Sequence, residues 1–120
     1  KMKCIKDTLM DQSVIAGIGN IYASEILFRA KINPYRSTKN LKKEEIKSII
    51  IATRLILKKS IKVGGTTLQN HLQPSGKLGY FFQRLEVYGR KNKNCVKCNL
   101  LISQSFISNR STYFCKNCQI

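Results

Sequence analysis

Apolar and polar residues recur along this chain with two different periods, one helical and one of alternating strands. From Lys1 to Gln12 the period is helical: Ile5, Thr8, Leu9 and Gln12 share a face, and Lys1, Lys3 and Lys6 are left to solvent or a ligand. In VIAGIGNIYASEILFRA, Gly17 and Gly19 interrupt the pattern and Asn20 stands just before it resumes. Asn20 therefore reads as the N-cap of a helix from Ile21 to about Ala30, which Pro34 prevents from continuing. A longer helix is predicted over Lys43–Lys62, with Ile46, Ile49, Ile50, Thr53, Leu57 and Ile61 as its core stripe and Gly64 and Gly65 just past its end. TTLQNHLQPSGKLGY then has no period and carries Pro74, Gly76 and Gly79, so it predicts a loop long enough to serve a function. His71, the single histidine, reads as a structural or surface residue. Alternation at Leu85, Glu86, Val87 and Tyr88 predicts a strand leading into a C-terminal hairpin, in which Ser111, Thr112, Tyr113 and Phe114 alternate again.

The hairpin is bracketed by CVKC and CKNC. Two Cys-x-x-Cys pairs around an insert of this size are specific for a four-thiolate metal site, with Cys95, Cys98, Cys115 and Cys118 as ligands. One zinc ion is the expected occupant. Thiolate-bound iron fits the same ligands but finds no redox or acidic signature in the insert, and a disulfide framework would leave Cys4 over. The metal has a structural reason to be there, because so short a hairpin buries too little apolar surface to fold without it. Asn109 and Arg110 fall at the insert's tip, where the metal would hold them rigidly.

Charge narrows the partner. Lys and Arg number 22 against 6 Asp and Glu, a formal net charge of +16 over 120 residues. A polyanion is the ordinary reason to keep such an excess, and nucleic acid comes first. A membrane surface is the alternative, but the chain has no long apolar run and its basic residues are spread over all segments; a compositional bias toward Lys and Ile is the bland explanation. GIGN sharpens the point without deciding it. Two glycines at a helix mouth let backbone N–H groups approach a phosphate, yet a glycine turn between packed helices needs no ligand.

Taken in order, DQSVIAGIGNIYASEILFRAKINP, GGTTL, GKLGYFFQRLEVYGRKNKNCVKC and NRSTYFCKNCQ resemble the C-terminal half of formamidopyrimidine-DNA glycosylase and its endonuclease VIII relatives, over nearly the full chain. The resemblance implies a mainly α fold: a helix–two-turn–helix bundle over 1–88, then a β-hairpin zinc finger over 89–120. It implies a base-excision glycosylase and abasic-site lyase for oxidised purines, acting on damaged double-stranded DNA as a monomer, bacterial, cytoplasmic and nucleoid-associated. Asn20, with Gly19, falls where the family grips a backbone phosphate. Arg110 falls on the hairpin arginine that holds phosphates beside the extruded nucleotide and is proposed as a proton donor. Lys6 and Lys1 fall on basic positions near the lesion. The capping loop, 69–80, closes over the flipped base through Ser75, Gly76, Lys77, Leu78, Gly79 and Tyr80; flipping is needed because the glycosidic carbon is shielded in the stack.

The family's N-terminal proline nucleophile, the glutamate after it and the β-rich catalytic domain have no counterpart here, so the chain is expected to be a fragment or truncated product whose partner is that missing domain. Glu25, Glu44, Glu45 and Glu86 sit in helix or strand patterns that account for them without catalysis. Asn99 stands where the family has a glycine, a mild change because Asn tolerates left-handed backbone, and Lys42 where it has a helix-capping serine. A stand-alone DNA-binding module is the alternative. A ribosomal or other RNA-binding helix–two-turn–helix protein is a weaker one, since that element requires neither GGTTL nor RSTYFC.

Overall fold

The computed structural model describes residues 3–11, 19–62 and 85–120, with side chains left undescribed from 59 to 62. Helix α1 (Ile5–Met10) is followed by α2 (Asn20–Ala30), a 3-10 turn (Thr38–Asn40), α3 (Lys43–Lys62) and the strands β1 (Ser103–Ile107) and β2 (Arg110–Phe114). The fold is therefore mainly helical, ending in a small antiparallel hairpin, as the sequence pattern implies.

Helix α1 has 6 residues and no side-chain cap, too short to persist alone. It is held by the turn after α2: Ile5 and Lys6 donate their free first-turn N–H groups to the carbonyls of Arg36 and Pro34, at 2.7 and 3.3 Å. It is shorter than the Lys1–Gln12 pattern suggests; Lys1 and Gln12 lie outside the described residues.

Helix α2 is the spine. Every residue from Tyr22 to Phe28 is buried, which is how a helix covered on all sides reads. Lys31, left-handed at φ 65°, ends it, and Ile32 closes the end by donating to the Leu27 carbonyl at 3.0 Å. Most of α2 packs with α1 and α3, whereas Phe28 belongs to a second core with Val87, Cys95, Ile102 and Cys115. Asn20 is not the N-cap the sequence predicts. Gly19 takes that place in extended backbone, and Asn20 opens the helix with its side chain free for other partners.

Helix α3 occupies the predicted span, but its buried stripe is turned. Ile49, Ala52 and Ile56 are buried, whereas Ile46 and Ile50 are 44% and 46% exposed. Isoleucine at 49, 50 and 51 makes the period ambiguous, and packing on α2 selects the face with the small Ala52. The lost serine cap is partly compensated: the N–H of Lys42 donates to the Glu45 carboxylate at 2.9 Å, one half of a capping box, and Arg36 pairs with the same carboxylate at 2.8 Å.

The hairpin pairs Ser103 with Phe114 through Ile107 with Arg110. Its two-residue turn, Ser108 and Asn109, has φ of 50° and 64°, the positive values that match the twist of a tight hairpin. The strand predicted before it is not formed over 85–90. That segment is a series of turns, because the N–H groups of Glu86, Val87 and Tyr88 face a carboxylate rather than a neighbouring strand. Gly17, the GGTTL run, His71 and the 69–80 capping loop lie outside the described residues.

Candidate nucleic-acid interface and metal centre

The four thiols of Cys95, Cys98, Cys115 and Cys118 converge, with all sulfurs within 4.8 Å of one another. Cys95 and Cys118 stand 3.8 Å apart and Cys98 and Cys115 3.5 Å. A tetrahedral zinc with bonds of about 2.3 Å needs sulfurs ~3.8 Å apart, so the donor set fits. Each pair sits on a turn whose backbone solvates the sulfur: Lys97 donates its N–H to Cys95 Sγ at 3.3 Å, and Cys118 donates to Cys115 Sγ at 3.4 Å. Asn99, at φ 71°, closes the first turn in the left-handed conformation anticipated for it. The N–H of Leu100 and the Asn117 side chain pull the Cys98 thiol down to about 6, while burial pushes Cys118 up to about 12. Cys4, half-buried at the start of α1, is outside the cluster.

The mouth of α2 meets the hairpin close by. The Lys6 ammonium, 1% exposed, donates to Asn20 Oδ1 at 2.7 Å and to Thr112 Oγ1 at 3.0 Å. Lys6 is thus not left to solvent as its position in the helical pattern suggests, because β2 is folded over it. Its pKa is lowered to about 8, chiefly by burial, with nearby Asp7 opposing the shift and Arg110 adding to it. Asn20 Nδ2 donates to the Ser111 carbonyl at 2.9 Å and lies 3.4 Å from the Tyr88 hydroxyl. Tyr88 stands edge-on to Tyr113 at 4.8 Å. Asn20, Lys6 and the residue next to Arg110 are therefore joined in one hydrogen-bonded group, with exposed Gly19 and Arg110 at its border. Lys1 and the loop residues Ser75 to Tyr80 are outside the described region.

Glu25 is the residue that pattern reading passes over. It is 6% exposed, and its carboxylate accepts the N–H groups of Glu86, Val87 and Tyr88 at 2.9, 2.9 and 2.8 Å. Burial raises its pKa and those three donors oppose the rise. It holds the segment carrying Tyr88 against α2. The available signal was an acid inside an otherwise buried run, since a fully buried Glu is rare unless paired.

Among the described residues no helix is long and apolar enough to cross a membrane. The formamidopyrimidine-DNA glycosylase H2TH domain matches residues 1–71. Formamidopyrimidine-DNA glycosylase of Rickettsia canadensis is 46% identical over 115 residues, covering 96% of this chain and 42% of that protein. The Listeria monocytogenes enzyme of the same name is 42% identical over 117 residues, covering 98% of this chain and 43% of that one. Among solved structures, the complex of Lactococcus lactis Fpg with DNA containing an abasic site superposes with a TM-score of 0.87 at 36% identity, over 100% of this chain and 43% of that one. MutM (Fpg) from Thermus thermophilus gives 0.84 at 35%, over 98% of this chain and 45% of that one. The chain thus spans less than half the length of the relatives it matches.

Proposed function

Because this chain belongs to the formamidopyrimidine-DNA glycosylase family, we propose that it holds damaged duplex DNA for a base-excision glycosylase and abasic-site lyase acting on oxidised purines. The observation that carries this reading is the joined group at the mouth of α2. Asn20 and Lys6 are hydrogen-bonded to Ser111 and Thr112, the two residues after Arg110, which supports reading these sequence-distant positions as one phosphate-gripping surface. In a chain of net charge +16, such a surface suits the phosphates flanking an extruded nucleotide. Arg110 supplies charge and directed donors there, and Asn20 and the Gly19 backbone supply neutral ones.

Cys95, Cys98, Cys115 and Cys118 hold one zinc ion, whose part is to fix the hairpin and with it Arg110. Ser75 to Tyr80 cap the extruded base, and Lys1 adds to the basic rim. Titrating the 120-residue chain into a duplex carrying a stable abasic-site analogue, and into the same undamaged duplex, tests the reading. Tighter binding to the damaged duplex, lost on chelation of zinc, is expected; equal and weak binding to both would overturn it.

A further inference from the structure

The amide of Gln119 is 1% exposed and both of its ends are engaged. Oε1 accepts the N–H of Cys115 at 2.7 Å, and Nε2 donates to the carbonyl of Ile32 at 2.9 Å. One side chain therefore bonds the backbone of a cysteine in the cluster and a carbonyl just past the end of α2. Around it the main chain makes a second tie: Ile120 donates to the Lys31 carbonyl at 3.2 Å, Asn33 donates to the Ile120 carbonyl at 3.0 Å, and Arg36 Nη1 reaches that carbonyl at 3.1 Å.

We propose that Gln119 is a positioning residue that links metal binding at the four-cysteine cluster to the seating of the C-terminal end of α2, through Cys115 on one side and Ile32 on the other. The hairpin lies along α2 and is fastened at both ends. At the mouth, Asn20 bonds Ser111 and Lys6 bonds Thr112. At the far end, about 16 Å away for an 11-residue helix, Gln119 makes the fastening. A metal that fixes the Cys115 turn fixes the acceptor end of Gln119, and with it the corner at Lys31–Asn33. Conversely, an ordered corner presents Cys115 already placed, which raises metal affinity by the same factor because linkage is reciprocal.

A buried amide that only satisfied its neighbours would leave metal affinity and corner order independent. The inference rests on the zinc reading of the cluster, and the test separates the two. Zinc affinity of the full chain is measured by competition with a chromophoric chelator, and backbone hydrogen exchange is followed at Asn33 and Ile120 with and without zinc. In the parent, zinc removal should speed exchange at both amides. Gln119→Met fills the volume without either bond; it should weaken zinc about tenfold or more, in the range found for outer-sphere partners of metal ligands. Asn33 and Ile120 should then exchange fast even in the zinc-loaded variant. Gln119→Glu keeps an acceptor for Cys115 but sets a carboxylate oxygen against the Ile32 carbonyl, so the link is cut at that end, and by the same reciprocity zinc affinity and protection should fall together. Parental zinc affinity in both variants, or metal-dependent protection that survives in Gln119→Met, overturns the proposal. A parent that binds no zinc overturns the metal reading itself.

Discussion

Lys6 and Thr112 lie 106 residues apart in sequence and meet in a buried hydrogen bond of 3.0 Å. The same ammonium donates to Asn20 at 2.7 Å, so an amine from α1 fastens the hairpin to the mouth of α2. A buried cation costs stability even when hydrogen-bonded, and here it helps hold Asn20 against Ser111, the residue that follows Arg110.

That cost is measurable through its pH dependence. Burial holds the Lys6 pKa at about 8, against 10.5 for an unburied lysine. Between those values the unfolded chain binds more protons than the folded one, so this residue's contribution to stability rises with pH; below the lower value its cost is fully present. Lys6→Met removes the titration and leaves every other group in place. Urea melts of parent and variant from neutral pH to about 10.5 should show the difference moving in the parent's favour by ~3 kcal/mol at most. A difference independent of pH would mean that Lys6 keeps a solvated ammonium.

Arg110 and Asn20 should separate by salt. Arg110→Ala is expected to weaken binding to an abasic-site duplex and to flatten the slope of log affinity against log salt by about one, as for one lost phosphate contact. Asn20→Ala should weaken binding with little change of slope, because the amide is neutral. It also removes one of the bonds that hold the hairpin to α2, the one to Ser111. Parental affinity in both variants at every salt concentration would remove the proposed face.

Glu25 is predicted to matter for folding more than its place in a helical pattern suggests. Glu25→Gln substitutes an NH2 group for one of two oxygens that receive three backbone N–H groups, leaving buried donors opposed. The expected cost is about 2–4 kcal/mol, measured by chemical denaturation. Parental stability in this variant would show that residues 86–88 seat without the carboxylate.

The elements set by local chemistry were legible in the chain: α3 from its period, the Cys-x-x-Cys turns from their spacing, β2 from its alternation. What was not legible depends on which faces meet. Three consecutive isoleucines left the rotation of α3 open, and only packing on α2 chose Ile49 over Ile46 and Ile50. Asn20 has the residue type of a cap, but its side chain finds Lys6 and Ser111 instead. The segment 85–90 alternates like a strand, yet its donors go to Glu25, a partner 61 to 63 residues away that no local pattern announces.

The metal assignment predicts one zinc per chain, retained in Cys4→Ser because Cys4 is outside the cluster. Acid should release it, since bound thiolates must take up protons as metal leaves. Metal analysis across a pH series checks both statements. Zinc lost from Cys4→Ser at neutral pH, or absent from the parent, would sink the assignment.

The last prediction concerns chemistry and is negative: the 120-residue chain by itself should bind damaged DNA without excising an oxidised purine. Glycosidic cleavage with lyase activity needs an uncharged amine at the sugar carbon and an acid to manage protons. Among the described residues the candidate amine is Lys6, whose pKa of about 8 leaves a minority uncharged at neutral pH. Its ammonium, however, is 1% exposed and committed to Asn20 and Thr112, so it cannot reach a sugar without opening the hairpin. Four of the six acids are likewise engaged: Glu25 by three backbone donors, Glu45 by Arg36 and the Lys42 N–H, Asp11 by Lys3 at 2.7 Å and Glu86 by Arg29 at 3.8 Å. Borohydride trapping on an oxidised-purine duplex should therefore yield no efficient adduct, while a slow nick at abasic sites, which simple polyamines also produce, would be uninformative. Efficient trapping abolished by Lys6→Met would show that this amine leaves its buried partners to act as the nucleophile, and the negative prediction would fall.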